Sequence, residues 1–505
     1  MIPSMSAREQ KKKNALHTMT ILISLMILTI LITFSGSTLS NRARYILYAL
    51  FFISINAVFI AYDYRAYPRF DWLEPPKLLF IILTPTLVIP PIFYWSNRYW
   101  RGSFIWGSFE EYFVGGLALL TISFFLMWLA YTIAKGVAKR KADNISPNSF
   151  EKKMTVYERT LSGAILLYVL GVAIRLINLL IGNYGYFSLG SRTTSMGFLG
   201  SITSLLYYIS LACLLLFIFD YADRRSKRAL FLIIGGFLIE VGFSLISGMK
   251  LFFFILAVEL VAGLYYANIR IRLRTVLILA LLVLLVIPIN EYFRASVASS
   301  RTREPKYILR NLEEGISGLA EEKPVETLRT SAERFLYRTS SMIYFSGLIH
   351  SYTPRVVPYA GFMDFLSLPI MLVPRAVWGG KPTYSSSLGY FMSRYLGMVV
   401  TPEHTTGLPL WGDFYRYAGW VSLIMLSIVW GILLAIIYSL TVRKKTEMHI
   451  VFYVALFPIL FNYEMTMPAL LQWIVQMGLT MWIIVRFILY RKIDHKHNRN
   501  EAVLH

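Results

Sequence analysis

The sequence predicts an all-α polytopic membrane protein, with about twelve transmembrane helices and one large extracytoplasmic helical loop between the ninth and tenth. Three observations carry that reading. The 505 residues are 56% hydrophobic and only 15% charged, with a mean hydropathy of +0.56, far more apolar than a soluble chain. The apolar residues gather in runs of bilayer-spanning length. The basic residues gather in alternate connections between those runs.

In order, the expected spans fall at 15–34, 45–62, 77–95, 112–134, 161–181, 198–220, 229–247, 251–268, 275–289, 419–440, 450–466 and 469–489. The ninth and eleventh are short. The first follows a Lys-rich leader without a small-residue cleavage site, so it reads as an uncleaved span rather than a signal peptide. With the N-terminus in the cytoplasm, the inside connections are 63–76, 135–160, 221–228 (YADRRSKR), 269–274 (IRIRLR), 441–449 (TVRKKTEMH) and the tail RKIDHKHNR. Every strongly basic short loop then lies on one side, as the positive-inside rule requires. The opposite loops, such as NRYWRGSFIWGSF at 97–109, are richer in Trp, Tyr and Gly. Both termini are therefore expected in the cytoplasm.

Three regions follow: spans one to nine over 1–289, the outer loop over 290–418, and the last three spans with a basic tail over 419–505. Long connections of this kind are usually functional. Residues 324–352 carry apolar residues at helical spacing, with Arg329, Arg334 and Arg338 among them. Residues 362–374 (FMDFLSLPIMLVP) are apolar but too short to cross, which suits a re-entrant or interfacial half-helix ending at Pro374.

Several function classes are excluded or disfavoured. The formal net charge of +22 has the cytoplasmic loops as its source, and no nucleic-acid motif accompanies it. An anionic substrate such as a phosphorylated lipid would be a second reason for positive charge. Cys213 is the single cysteine and lies in an apolar run, so no disulfide or cysteine-based metal site is available. Without HxxxH, HExxH or a paired DxD, a catalytic metal is not indicated. P-loop, GxSxG and Rossmann patterns are absent too.

The chemistry-bearing residues concentrate on the outer side. In PRAVWGGKP at 374–382, Arg375 suits bidentate contact with phosphate oxygens and Lys381 suits a mobile point charge, with Trp378 between them. The alternative is interfacial snorkelling with an aromatic anchor. Lys250, in the tight turn SGMK at 247–250, and Arg192, in the loop before the sixth span, invite the same two readings. Arg175 lies inside the fifth span, where an unpaired charge is costly. Glu240 and Glu259 are its expected partners, in a structural ion pair by default, with a proton relay as the alternative. Segment 401–417 offers Glu403, His404, Asp413 and Arg416, and the helix at 324–352 offers His350; a carboxylate or imidazole there suits a general base. An ordinary packing role is the bland alternative for each.

Taken in order, SGMK at the seventh-to-eighth turn, PRAVWGGKP in the outer loop and GDFYRYAG at 412–419 resemble the Wzy-type oligosaccharide repeat-unit polymerases. Those share a superfamily of GT-C-like membrane glycosyltransferases with the O-antigen ligases. The resemblance implies polymerisation of exopolysaccharide or O-antigen repeat units carried on undecaprenyl-type polyprenyl pyrophosphate, at the outer face of the cytoplasmic membrane. It implies no metal and no nucleotide sugar as cofactor, with the lipid-linked glycans as donor and acceptor. A chain-length regulator and a flippase are its implied protein partners, and no nucleic acid takes part. By position, Arg375, Lys381 and Lys250 would hold the pyrophosphate, with Arg338 and Arg192 as further contacts and Trp378 and His350 beside the substrate. His404, Glu403 or Asp413 would serve the attacking hydroxyl. Asp413 stands where the family more often has Glu, and the run after it departs from the usual pattern. A ligase of finished glycans, a lipid-linked oligosaccharide transporter and a non-catalytic partner of a synthase are the rival expectations.

Overall fold

A computed structural model describes residues 39–66, 70–96, 109–143, 157–180, 197–247, 250–269, 324–373, 408–442 and 446–492, together with a few isolated positions. Its helices in chain order are α1 (Asn41–Ala66), α2 (Pro75–Leu83), α3 (Pro90–Ser96), α4 (Phe109–Asp143), α5 (Leu161–Leu180), α6 (Gly197–Arg224), α7 (Lys227–Ser247) and α8 (Lys250–Tyr266). There follow α9 (Pro324–Tyr352), the short α10 (Met363–Leu366) and α11 (Leu368–Leu372), α12 (Leu410–Ala418) and α13 (Trp420–Thr441). The chain closes with α14 (Glu447–Ala455), α15 (Phe457–Leu460) and α16 (Met467–Ile484).

Among the described residues, eight helical segments are long and apolar enough to cross a bilayer. They coincide with the expected spans two to seven, ten and twelve. The expected span at 251–268 is a shorter apolar helix, Phe252–Tyr266. Residues 450–466 are not one rod: α14 stops at Ala455, α15 restarts across Pro458, and Phe461–Thr466 form turns. The expected spans 15–34 and 275–289 lie almost wholly outside the described residues.

Local chemistry explains the ends and bends. Proline opens α2 and sits in the first turn of α16, where its missing N–H costs nothing. Pro85 cannot donate into the ladder, and a π-helical turn at Thr84–Val88 absorbs it, with Ile89 N–H reaching back to Thr84 O at 3.0 Å.

The bundle is built around α4, which packs against α9 on one side and α13 on another. Glycines let the backbones touch. A Cβ at Gly116 would lie 1.9 Å from Ile343 O, and one at Gly347 would lie 1.6 Å from Tyr112 O, so the α4–α9 crossing admits only hydrogen at both positions. Gly431 of α13 meets Met127 O of α4 the same way, at 2.1 Å. Beside that crossing the Ser123 and Ser427 hydroxyls hydrogen-bond at 2.7 Å.

Segments expected on the inner side gather at one end of the bundle. A two-stranded antiparallel ribbon, β1 (Tyr157–Arg159) with β2 (Tyr490–Lys492), joins the 135–160 connection to the tail. This ribbon corrects the all-α expectation; three residues per strand are too few for alternation to show. Arg159 pairs there with Asp223 and, at 2.7 Å, with Glu447. Next to it, Lys77 and Lys135 each contact both Asp63 and Glu74, closing a buried ring of two cations and two carboxylates. Tyr131 donates to Glu74 at 2.6 Å, and Tyr438 and Tyr266 donate to Asp71 at 2.7 and 3.0 Å. The ring ties α1, α2 and α4 together, and the tyrosines add α8 and α13.

Gly347→Ala should therefore force α9 off α4 and lower stability by about 1–3 kcal/mol or more. Gly235→Ala, whose Cβ meets nothing within 4 Å, is the control and should be neutral or mildly stabilising. Thermal unfolding in detergent, followed by tryptophan fluorescence, separates the two.

Candidate functional site

The opposite end of the bundle carries the residues expected on the outer side. α9 runs along α4 to this end and packs its last turns on α12, where Gly412 lets Ser346 Cα and Ile349 approach. α12 begins after Pro409, with Leu410 N–H bonded to Tyr463 O at 2.9 Å, and ends at Gly419, whose φ of +67° turns the chain into α13. A Cβ at Gly419 would also lie 2.7 Å from the Tyr359 hydroxyl, so both backbone and space call for glycine.

Asp413 is fully buried on α12. Its carboxylate accepts from Arg416 Nε at 2.6 Å, from the Met467 amide at 2.8 Å and from the Tyr417 hydroxyl at 3.1 Å. Burial pushes the carboxyl up from its ordinary range, while Arg416, the Met467 amide and the Tyr417 hydroxyl pull it down. Every polar neighbour is a donor, so the pocket is built for the ionised form. Arg416 passes the connection on: its Nη2 donates to Asp364 Oδ2 at 2.6 Å. One carboxylate thus ties α12 to the start of α16, and one guanidinium ties α12 to α10.

The segment 362–373 is short helices α10 and α11, as its length led one to expect. Phe362, Met363 and Leu366 are exposed, which suits a stretch lying in a membrane interface. The Phe362 and Phe365 rings pack on Tyr417, and Gln476 of α16 donates to Leu372 O at 2.8 Å. Both halves of the segment are pinned immediately before Pro374, where PRAVWGGKP starts.

The expected site residues fare differently. Asp413 lies on α12 and His350 near the end of α9, each held by its own neighbours. The His350 ring is partly buried between Tyr415, 5.0 Å away, and Trp420, 5.5 Å away. Burial, then the neighbouring Arg355, lower its pKa, so the imidazole is neutral at pH 7. Trp378 is exposed. Lys250 lies at the start of α8 and Arg338 on α9; of their side chains nothing is described. Arg375, Lys381, Arg192, Glu403 and His404 lie outside the described residues. Trp411 and Tyr415 of α12 are buried packing residues. In the span region Arg175 does pair with Glu240, through two contacts of 2.6 Å, with Ser210 at 3.1 Å and the Phe243 ring beneath it. Glu259, the other expected partner, is not joined to it.

Sequence reasoning missed Asp364, Tyr417 and the inner ring around Lys77. The Asp413–Arg416 pair had a local signal in its i,i+3 spacing. Asp364 had none, being brought in by tertiary packing.

Fold and site together define a multi-pass helical membrane protein with a polar-anchored junction at one end. Residues 174–407 match a family model described as a domain of unknown function (DUF8712), a similarity that begins within α5 and ends just before α12. No curated protein and no solved structure matches the chain.

Asp413→Ala should cost about 3–5 kcal/mol by leaving Arg416 short of a buried counter-charge, with a smaller loss for Asp413→Asn; thermal melts in detergent measure both. A depressed His350 pKa makes its contribution present above the unfolded value near 6.5 and lost as pH falls below it. The melting temperature should drop below about pH 6.5 in the wild type, and Gln or Phe at position 350 should flatten that slope.

Proposed function

We propose that the chain is a membrane glycosyltransferase with a GT-C-like arrangement of spans. It polymerises polyprenyl-pyrophosphate-linked oligosaccharide repeat units at the outer face of the cytoplasmic membrane. The observation that supports this reading is the anchoring, at one end of the bundle, of one motif and of the segment that precedes a second. GDFYRYAG forms α12, and the segment leading into PRAVWGGKP is pinned to α12 by Asp364–Arg416 and to α16 by Gln476. Lys250, the last residue of SGMK, opens α8.

In this reading the donor pyrophosphate is held by Arg375, Lys381 and Lys250, with Arg338 and Arg192 in further contact. The acceptor hydroxyl attacks the anomeric carbon as the bond from that carbon to the phosphate oxygen breaks. The hydroxyl proton passes to His404 or Glu403, and the anomeric centre inverts. The cations neutralise charge gathering on the leaving pyrophosphate, which is the main electrostatic contribution. Asp413 is a positioning residue: enclosed as it is, it holds Arg416 and the α10–α12 junction rather than touching a sugar. The exposed apolar side chains of 362–366 offer the polyprenyl tail a surface at membrane level.

A lipid-linked glycan transporter is the second reading, and the Arg175–Glu240 pair inside a span is the observation on its side. The deciding experiment incubates purified protein with a polyprenyl-pyrophosphate glycan and EDTA, without nucleotide sugar. A ladder of lengthened glycans is expected, and Arg375→Ala should reduce its rate by on the order of 10²–10³-fold while the protein stays folded. A folded wild type that leaves the glycan unchanged, yet moves it across vesicles, would replace the polymerase with the transporter. Transfer of a whole glycan to an unrelated acceptor would replace it with a ligase.

A further inference from the structure

We propose that Glu259 is a proton-binding site inside the membrane bundle, a carboxylic acid that exchanges its proton with water through a small cavity among α6, α7 and α8. The inference is independent of the polymerase reading. Glu259 is buried, and both its carboxyl oxygens lack a hydrogen-bond partner among the described residues. It lines a cavity of about 20 Å³, room for one water molecule. The rest of that lining is apolar, with Leu211, Leu215, Ile233, Phe237 and Leu256 among it. An ionised carboxylate in such a place is prohibitively costly, and the group takes up a proton instead. A metal cation is a poor alternative ligand, because it would ask for several oxygens and this cavity supplies those of one side chain.

The surrounding charges sharpen the point. From α7, Glu240 faces the same region, but both its oxygens are taken by Arg175 of α5. From α6, the Tyr208 hydroxyl lies within electrostatic reach. From α14, Glu447 and His449 are engaged with Tyr490 and Thr446, and Tyr453 donates to Leu73 O. α15 carries no titratable residue. Among the described residues the region thus holds one cation and two carboxyl groups, and a proton on Glu259 balances it. Loss of that proton would set two buried carboxylates against the single guanidinium of Arg175.

Infrared spectroscopy of the full chain in lipid nanodiscs tests this. At neutral pH a protonated-carboxyl C=O band is expected, one that shifts in D2O and is missing from Glu259→Gln, a variant that keeps the neutral shape. If the variant fails to fold, the wild type alone still answers through dicyclohexylcarbodiimide. A protonated carboxyl adds across that reagent and rearranges to an N-acylurea, gaining the whole reagent mass, so the peptide holding residue 259 should carry the adduct. A spectrum unchanged by Glu259→Gln, a band that never shifts in D2O, or an adduct on Glu240 alone would each overturn the proposal.

Discussion

Lipid tails are as apolar as leucine, so a helix in a bilayer gains little by turning its leucines inward; what draws helices together is close contact and internal hydrogen bonding. The α4 helix meets that constraint with glycine. Gly116 and Gly347 are reciprocal, each lying against the partner helix's backbone, and Gly431 repeats the arrangement on the α13 side. With the backbones in contact, Ser123 and Ser427 come within hydrogen-bonding distance and α9 is carried to the end of the bundle where α12 waits. The position of the α9–α12 junction is therefore a consequence of three missing side chains on or against one helix.

Polar burial is the second organising cost, and the bundle meets it in distinct ways. One end uses a closed ring, in which Lys77 and Lys135 share Asp63 and Glu74 and neither charge sign is left in excess. The α5–α7 contact uses a bidentate fork, Arg175 on Glu240, the geometry in which guanidinium and carboxylate satisfy each other best. The α9–α12 junction uses a relay, Met467–Asp413–Arg416–Asp364, that joins three segments distant in sequence. A buried pair of this kind need not add net stability against a well-packed apolar alternative. It does penalise every arrangement in which one member is separated from the other, and so selects a single packing.

Much of the span pattern was legible in the sequence, because hydropathy over about twenty residues is a property of the bilayer and not of the particular fold. The Arg175–Glu240 pair was legible for a related reason: a charge inside a span needs a counter-charge, and few were on offer. Lys77, by contrast, reads as an ordinary residue at a membrane boundary, and only the fold reveals that it is enclosed. The glycine contacts are equally silent, since Gly235 and Gly347 look alike in sequence while one faces open space and the other a carbonyl. The division of 450–466 into two short helices had a local sign in Pro458, but the apolar run around it concealed the break. At the site, the Asp413–Arg416 spacing was visible and its meaning was not, because burial decides whether an acid can meet a substrate.

That last distinction bears on the chemistry. A general base must reach the proton it removes, directly or through one water. Asp413 fails that condition on two counts: it has no exposure, and its oxygens are already occupied by a guanidinium, an amide and a phenol. The same contacts make it an effective anchor. Displacing it would release Arg416, and with Arg416 the hold on Asp364 and the short helices that lead into PRAVWGGKP. An acid at this position is thus required by the scaffold on which the phosphate-holding turn would be mounted. A shorter acid can serve there as well as a longer one if the helix it grips sits correspondingly closer. On that account Asp413, where the resembled polymerases more often carry Glu, is compatible with the proposed reaction, whose base would be a side chain open to the proposed acceptor.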